Sequence, residues 1–339
     1  MPINRRFLLK RRPNGVPVAD DFSLVEESVP EPAEGEFVVQ TVYASLDPAM
    51  RGWLDDAPSY MPPVPLGEAV RASTVGRITA SRNPDFPEGA WVSGLGAIEE
   101  YSLGQAGGFM RRIDPGAVPS PSNYLSVLGA VGMTAYFGVV DVLAPKPGQT
   151  LLVSGAAGAV GSLVGQIGKI LGCRTIGIAG GPAKTKRLVE DYGYDVAIDY
   201  RGKDVAALEA EIRKAAPDGV DLGFENVGGA ILDATLSCLS HGAKIALCGL
   251  ISEYNSPEKV GARNVWQLIV HRATLTGFLV ADYLPRFEEG AKQMAVWVSE
   301  GKLRFDEHID EGIENALPAF LRLFEGTNEG KMILQLAEA

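Results

Sequence analysis

An α/β fold is predicted for this chain: a β-rich first third with long loops, then a doubly wound parallel sheet. Three observations carry that prediction. Up to about residue 123 the sequence is rich in proline, glycine and short β-type runs. From about Tyr124 strand-like and helix-like segments alternate, the texture of right-handed βαβ units. The first of those later strands runs into a Gly/Ala-rich turn that opens a helix.

In the first third, the β-branched and aromatic runs 37–43 and 74–80 read as strands. Between them Pro58, Pro62, Pro63 and Pro65 exclude a helix. Strands at that spacing suggest a small β-barrel-like domain. The apolar stretch 124–142 is expected to be helical, with a turn at Pro145-Lys146-Pro147-Gly148. Strands are then expected at 150–153, 174–179, 196–199, 220–224 and 244–248, and helices at 159–171, 183–192, 205–215 and 231–239. After Leu284 a helix, a Gly-terminated segment and a last strand at 331–336 should return to the first domain. The expected division is 1–123, 124–295 and 296–339.

Of the 339 residues, 46% are hydrophobic and 22% charged, enough for an ordinary globular core. The net charge of −11 repels phosphate backbones, so a nucleic-acid partner is disfavoured. An anionic cofactor would have to be held locally, by backbone N–H groups, a helix N-terminus and one or two cations. Three cysteines (Cys173, Cys238 and Cys248) with no CxxC pair argue against a disulfide framework and for a reducing compartment. The N-terminus, residues 1–10, is basic but lacks an apolar run of signal-peptide length, and no uninterrupted apolar stretch reaches membrane-spanning length. The expected location is the cytoplasm.

The turn Ser154-Gly155-Ala156-Ala157-Gly158-Ala159-Val160-Gly161 carries the functional reading. A backbone that approaches a pyrophosphate closely needs small residues. Gly158 would permit the approach and Gly161 the packing of helix on strand. Ala156 stands where the strict pattern has its first glycine, and a tight turn with no ligand would look similar from the motif alone. Its place after a strand, before a helix and at the head of a βαβ series favours a nucleotide. A NAD-preferring site would carry Asp or Glu about 20 residues further on, at the end of the second strand. Here the chain reads Ala179-Gly180-Gly181-Pro182-Ala183-Lys184, with Lys184 the nearest charged side chain, and Tyr200-Arg201 follows the next strand. A cation without a carboxylate suits a 2′-phosphate, hence NADPH; the alternative is that both cations are solvated surface residues. His241, His271 and His308 are scattered, and neither HExxH nor a Cys/His cluster at zinc spacing occurs. GxSxG is also missing. Metal-free redox chemistry with a nicotinamide as hydride donor is what remains.

The segments Ser45-Leu46-Asp47-Pro48-Ala49-Met50-Arg51-Gly52, Gly132-Met133-Thr134-Ala135-Tyr136, 155–162, Phe224-Glu225-Asn226-Val227-Gly228-Gly229 and 248–255 together carry a resemblance over nearly the whole chain. It is to the zinc-independent medium-chain dehydrogenase/reductases, in the leukotriene B4 dehydrogenase/prostaglandin reductase group with its curcumin reductase-like and alkenal reductase relatives. The resemblance implies a split GroES-like catalytic domain around a Rossmann domain, a homodimer, and NADPH-dependent reduction of the C=C bond of α,β-unsaturated aldehydes and ketones. It implies that Lys184 takes the 2′-phosphate with Tyr200 and Gly180 beside it. Ala157, Gly158, Ala159 and Val160 would line the pyrophosphate, and Asn226 the ribose side. Cys248, Gly249, Leu250, Ile251, Ser252 and Tyr254, with Phe278, Leu279 and Val280, would flank the nicotinamide, and Met133 and Thr134 would lie beside its carboxamide. Asn328 would reach the cofactor from near the end of the chain. Tyr254 would touch the substrate carbonyl, either as a donor or as a packing ring, with Tyr60 on the opposite wall.

The sequence also departs from that group. Ala49 stands where many relatives have Tyr, Ala130-Val131 replaces a Met-Pro or Met-Thr pair, and Gly67-Glu68 lacks the histidine of the zinc enzymes. The first two bear on substrate range, the third agrees with a metal-free site. An enone/enal reductase, a quinone reductase and an NADPH-binding regulatory protein are the three functions in play.

Overall fold

Strand β3 (Glu36–Ser45) is the spine of the first unit of the structure, a computed structural model that describes residues 3–105 and 108–339. The unit comprises Met1–Leu125 and Glu307–Ala339. Phe37, Val38, Val39, Val42, Tyr43 and Ala44 are all buried, because β3 is covered on both faces and therefore shows no polar alternation. Strand β1 (Ile3–Leu9) pairs antiparallel with β2 (Phe22–Ser28). β3 pairs along one edge with β4 (Arg71–Ser81), which continues into β5 (Trp91–Ala97) and, beyond it, β7 (Arg111–Ile113). The first half of its other edge takes β6 (Tyr101–Gln105). A single helical turn, α1 (Met50–Trp53), follows β3, and the proline-rich stretch after it is not helical.

The second unit, Ser126–Asp306, opens with α2 (Ala130–Phe137), which passes into a π-helical turn, Gly138–Leu143, and ends at Ala144 with φ +47°. The helix expected over 124–142 thus starts later. Pro121–Tyr124 is a separate 3₁₀ turn whose cap is the Ser120 hydroxyl, and Gly129 is the extended residue before α2. There follow β8 (Thr150–Ser154), α3 (Ala159–Ile170), β9 (Arg174–Ala179), α4 (Pro182–Glu190), β10 (Val196–Asp199) and α5 (Val205–Ala215). Then come β11 (Val220–Glu225), α6 (Gly229–Leu236), β12 (Leu239–Leu247), a short α7 (Ile251–Tyr254), α8 (Trp266–His271), β13 (Thr274–Gly277) and α9 (Phe287–Ser299). All the pairings in this sheet are parallel and the order is β10-β9-β8-β11-β12-β13, the doubly wound Rossmann order with its reversal between β8 and β11. α6 ends earlier than expected and β12 starts earlier. Leu239 already pairs with Val220, and a register irregularity, with Gly242 at φ +75°, separates that pair from the regular ladder at Lys244. Leu152, Ile176, Ile178, Leu208, Ile212, Ile231 and Ile245 form the core on one face of this sheet.

The chain then re-enters the first unit. β14 (Glu307–Glu311) lies parallel to β15 (Lys331–Gln335), and α10 (Ala316–Glu325) connects them. β15 pairs antiparallel with the second half of β3. The Lys331 ammonium is wholly buried there and donates to Leu46 O, Met332 O and the Asp47 carboxylate. Burial holds its pKa below the ordinary lysine value although Asp47 opposes the shift.

Candidate active site

The reversal of strand order leaves a crevice at the C-terminal ends of β8 and β11, and both ends are polar: Ser154 and Glu225. The turn after β8 has its left-handed residue at Gly155, φ +58°. The tight-turn role that the sequence pattern assigns to Ala156 therefore falls one residue earlier. Ala156 is fully buried, with its Cβ packed against Gly177. Gly158 is the extended residue before α3. A side chain there would meet only Gly155 O within 4 Å, so this face of the turn is open. Gly161 is different, since a Cβ on it would stand against the Gly155 carbonyl oxygen and 2.7 Å from Ala156 Cα.

Glu225 closes the floor of this crevice. Its Oε1 accepts from Ser154 Oγ (2.8 Å), Val227 N (2.7 Å) and Gly228 N (2.7 Å). Ser154 Oγ in turn accepts from Asn226 N (2.8 Å), and the Asn226 side chain donates to Ser154 O (2.7 Å). Complete burial pushes the Glu225 carboxyl above its ordinary pKa, against the three donors. The sequence reading gave this residue no role; the available signal was a carboxylate at the end of an otherwise apolar central strand.

The loop after β12 is stitched to the turn after β11. Cys248 N and Gly249 N donate to Glu225 O, Ile251 N to Asn226 O, and Ser252 N and Oγ to Val227 O. Asn226, Cys248, Gly249, Leu250, Ile251 and Ser252 are thereby gathered at one edge. Tyr254 ends α7 with its hydroxyl over Gly249, where it accepts from Leu250 N at 3.3 Å. Burial, with Glu225 nearby, pushes the Cys248 thiol up to about 12, so it stays protonated and is no nucleophile at neutral pH.

A second corner forms where β9 and β10 end. Tyr200 lies over Gly180: a Cβ there would stand 3.0 Å from its hydroxyl. Arg201 lies over Gly181 in the same way, and Lys184 is in the first turn of α4. Asp199 Oδ1 accepts from Gly181 N (2.7 Å) and Arg201 N (3.0 Å). Desolvation pushes this carboxyl up, but those amides and the neighbouring cations prevail and hold it below its ordinary value.

The remaining predicted site residues sit as follows. Ala157 is buried, and Ala159 and Val160 open α3, half-buried. Met133 is fully buried, its sulfur filling the place a Gly290 side chain would take. The Thr134 hydroxyl donates to Ala130 O of its own helix. Phe278 packs edge-on against Phe224, with room made by Gly138; Leu279 is exposed and Val280 half-buried. Tyr60 and Asn328 belong to the other unit. The Tyr60 hydroxyl accepts from the Trp53 indole (3.0 Å), and the Asn328 amide donates to Gly330 O (2.9 Å).

A Rossmann sheet with an open glycine turn at its switch point and cations at the end of its second strand defines a dinucleotide-binding frame. Comparison with known proteins narrows the class. A family model described as "N-terminal domain of oxidoreductase" matches residues 5–111, and one described as "Zinc-binding dehydrogenase" matches 159–297. The chain is 42% identical over 340 residues to an NADPH-dependent curcumin reductase of Escherichia coli, covering 98% of this chain and 97% of that one. It is 36% identical to an NADP(+)-dependent 2-alkenal reductase of Nicotiana tabacum, covering 98% of each. The solved structure of CurA from Vibrio vulnificus in complex with NADPH superposes with a TM-score of 0.92 at 41% identity, covering 99% of this chain and 100% of that one. The chain belongs to the medium-chain dehydrogenase/reductase family, in its zinc-independent group of curcumin, alkenal and prostaglandin reductases. Its two units are accordingly the GroES-like and Rossmann parts of that fold. Among the described residues no group of three or more His, Cys, Asp or Glu side chains is placed to hold a metal ion.

Proposed function

We propose that this protein is an NADPH-dependent reductase of the C=C bond of α,β-unsaturated ketones and aldehydes. The observation that carries the reading is Tyr254, a phenol pinned by Leu250 N in a loop stitched to the cofactor turns. The residues fit NADPH. The Gly158 face is open to a pyrophosphate, α3 directs its first amides there, and Lys184 with Tyr200 suits a 2′-phosphate. When bound, NADPH supplies the hydride that the β-carbon of the conjugated carbonyl accepts.

The chain's own task is to orient the enone and hold the negative charge that collects on the carbonyl oxygen as the enolate. Tyr254 is assigned that role. A neutral phenol donates without being consumed, and an oxygen that itself accepts an N–H is the more polarised donor. Tyr60 is assigned to the substrate wall. No residue of the chain is assigned as the proton donor to the α-carbon.

NADPH oxidation measured with an enal, an enone and a quinone tests the reading. Turnover of the enone or enal supports it. Turnover of the quinone alone would make the protein a quinone reductase, and no turnover of any would leave a binding protein. Within the enzyme, Tyr254→Phe keeps the ring and removes the donor. kcat should fall about 10- to 1000-fold, the range for loss of an oxyanion donor or part of one, with NADPH affinity nearly unchanged.

The working form is a homodimer paired through β13. That strand is the last of its sheet, its outer edge has no strand partner among the described residues, and beside it Trp266 and Ile269 of α8 are 67% and 64% exposed. An edge of this kind is self-complementary under a two-fold axis. The cytoplasm suits a chain whose three cysteines are all free thiols.

A further inference from the structure

We propose that Arg201 is a second phosphate ligand at the β9–β10 corner, sharing the 2′-phosphate of NADPH with Lys184, and that it sets the preference for NADPH over NADH. The proposal rests on the cofactor reading above and adds to it a residue and a reason for the paired glycines.

The geometry is specific. Two consecutive side chains, Tyr200 and Arg201, lie over two consecutive glycines, Gly180 and Gly181. A Cβ on Gly181 would stand 3.1 Å from Arg201 Nη1 and 3.4 Å from its Cζ, and Gly181 has φ +91°, a backbone that an L side chain rarely adopts. Any residue but glycine here would both strain the turn and push the guanidinium away. Gly181 is also the residue immediately before α4, so the guanidinium is held at the end of β9 beside the turn that carries Lys184.

The charges around it leave the guanidinium available. Asp199, the acid in this corner, spends Oδ1 on the amides of Gly181 and Arg201, and its carbonyl takes Lys203 Nζ (2.5 Å). Asp199 thereby fixes the backbone of Arg201 rather than pairing with its side chain. Arg5, Arg6, Arg11, Arg51, Arg187, Arg213, Arg286, Arg304 and Arg322 are each paired with a carboxylate, whereas the exposed Arg77, Arg82, Arg111 and Arg263, like Arg201, have no carboxylate partner among the described residues; what sets Arg201 apart is its place over Gly181 at the β9–β10 corner. The Arg201 side chain makes no hydrogen bond or ion pair with the described residues. In a chain of net charge −11, an exposed arginine held over a glycine, near Asp199 but forming no ion pair with it, keeps its N–H donors for an anion that arrives from outside. A guanidinium meets phosphate oxygens with two parallel N–H donors, which an ammonium cannot do alone. The 2′-phosphate carries nearly two charges, and two cations answer it.

The test measures dissociation constants of wild type, Arg201→Gln and Lys184→Ala for NADPH, NADH, 2′,5′-ADP and 5′-AMP. Arg201→Gln should weaken NADPH and 2′,5′-ADP by about 10- to 100-fold, the loss of one charge-assisted contact, and NADH and 5′-AMP less than about twofold. Equal weakening of all four would make Arg201 an adenine-stacking or structural residue and overturn the proposal, as would no change in any. The cofactor reading fails separately: wild type would then bind NADPH and NADH alike. If wild type prefers NADPH, Lys184→Ala removes most of the preference and Arg201→Gln removes none, only the role of Arg201 falls.

Discussion

Ser154 Oγ and two backbone amides converge on one oxygen of Glu225, and this buried carboxyl joins the turn after β8 to the turn after β11. Its folded-state pKa is raised, with burial the leading cause. The stability this group contributes is full below the ordinary glutamate pKa and is lost as pH rises through the raised folded value. Glu225→Gln keeps the accepting oxygen and removes the titration. Thermal melts from pH 4 to pH 9 should show the variant gaining on wild type as pH rises; a constant difference would mean that Glu225 does not titrate in this window. Lys184 is the other residue with a sharp expectation. Lys184→Ala should weaken NADPH by roughly 1.5–3 kcal/mol, if one charge-assisted bond is lost, and NADH far less. Parallel titrations of the two nucleotides check it, and equal losses would remove Lys184 from the 2′-phosphate site.

Helix α3 shows why an element can be necessary to a site without touching substrate. It packs on β8 and β9 through glycines. Gly161 lies against Gly155 and Ala156, and Gly165 lies under the ring of Tyr194, whose hydroxyl donates to Gly161 O (2.7 Å). The close approach at Gly161 aims the first turn of α3 at the crevice. Gly161→Ala brings a methyl onto backbone that can yield only by moving the turn. The expected cost is about 1–3 kcal/mol of stability, as for overpacking, together with weaker NADPH binding. Urea unfolding and nucleotide titration of the same variant check both effects, and unaltered affinity would show that the turn is not the cradle. β15 depends on a charge in a comparable way. Lys331→Met would leave the Leu46 and Met332 carbonyls without this donor, while part-exposed Asp47 keeps Ser45 Oγ; the expected loss is about 1–3 kcal/mol, as for an unsatisfied buried acceptor. A Tm equal to that of wild type would refute it.

At the scale of the whole molecule, chemistry and assembly make separate predictions. The reduction assigned here needs a phenol and a nicotinamide, so prolonged chelation should leave the rate unchanged; activity lost to a chelator and restored by zinc would overturn the mechanism. The dimer rests on β13 and α8. Ile269→Glu together with Thr276→Pro places a charge on the exposed helix face and a proline in the edge strand, two changes that block strand pairing. Light scattering after size-exclusion chromatography should move from twice the chain mass toward the chain mass. If wild type is already monomeric, the β13 pairing is wrong.

Periodicity and punctuation made much of the second unit legible. The strand at 174–179, the strand at 196–199 and the helix at 205–215 have in the structure the limits that the sequence predicts for them; the first ends just before Gly180 and the helix starts at the Asp204 side-chain cap. The stretch 124–142 was less legible. An apolar run does not say where a helix is interrupted, and that was decided by the Ser120 cap, by Gly129 and by the close packing of Phe224 and Phe278 at Gly138. The glycine turn announced a nucleotide from local chemistry alone. Which glycine takes the left-handed conformation was not legible: it is Gly155, the residue against which Gly161 of α3 packs. Lys184 and Tyr200 were readable as types at positions. That Glu225 ties three chain segments together, and that Arg201 rests on Gly181, depends on strands brought side by side from distant parts of the chain. The β8–β12 alternation and the class of cofactor were legible from the chain alone, because they follow from local spacing and residue type; packing decided the strands the sequence left unread, which donors converge on one oxygen and which cation faces outward, because convergence is a property of the folded chain.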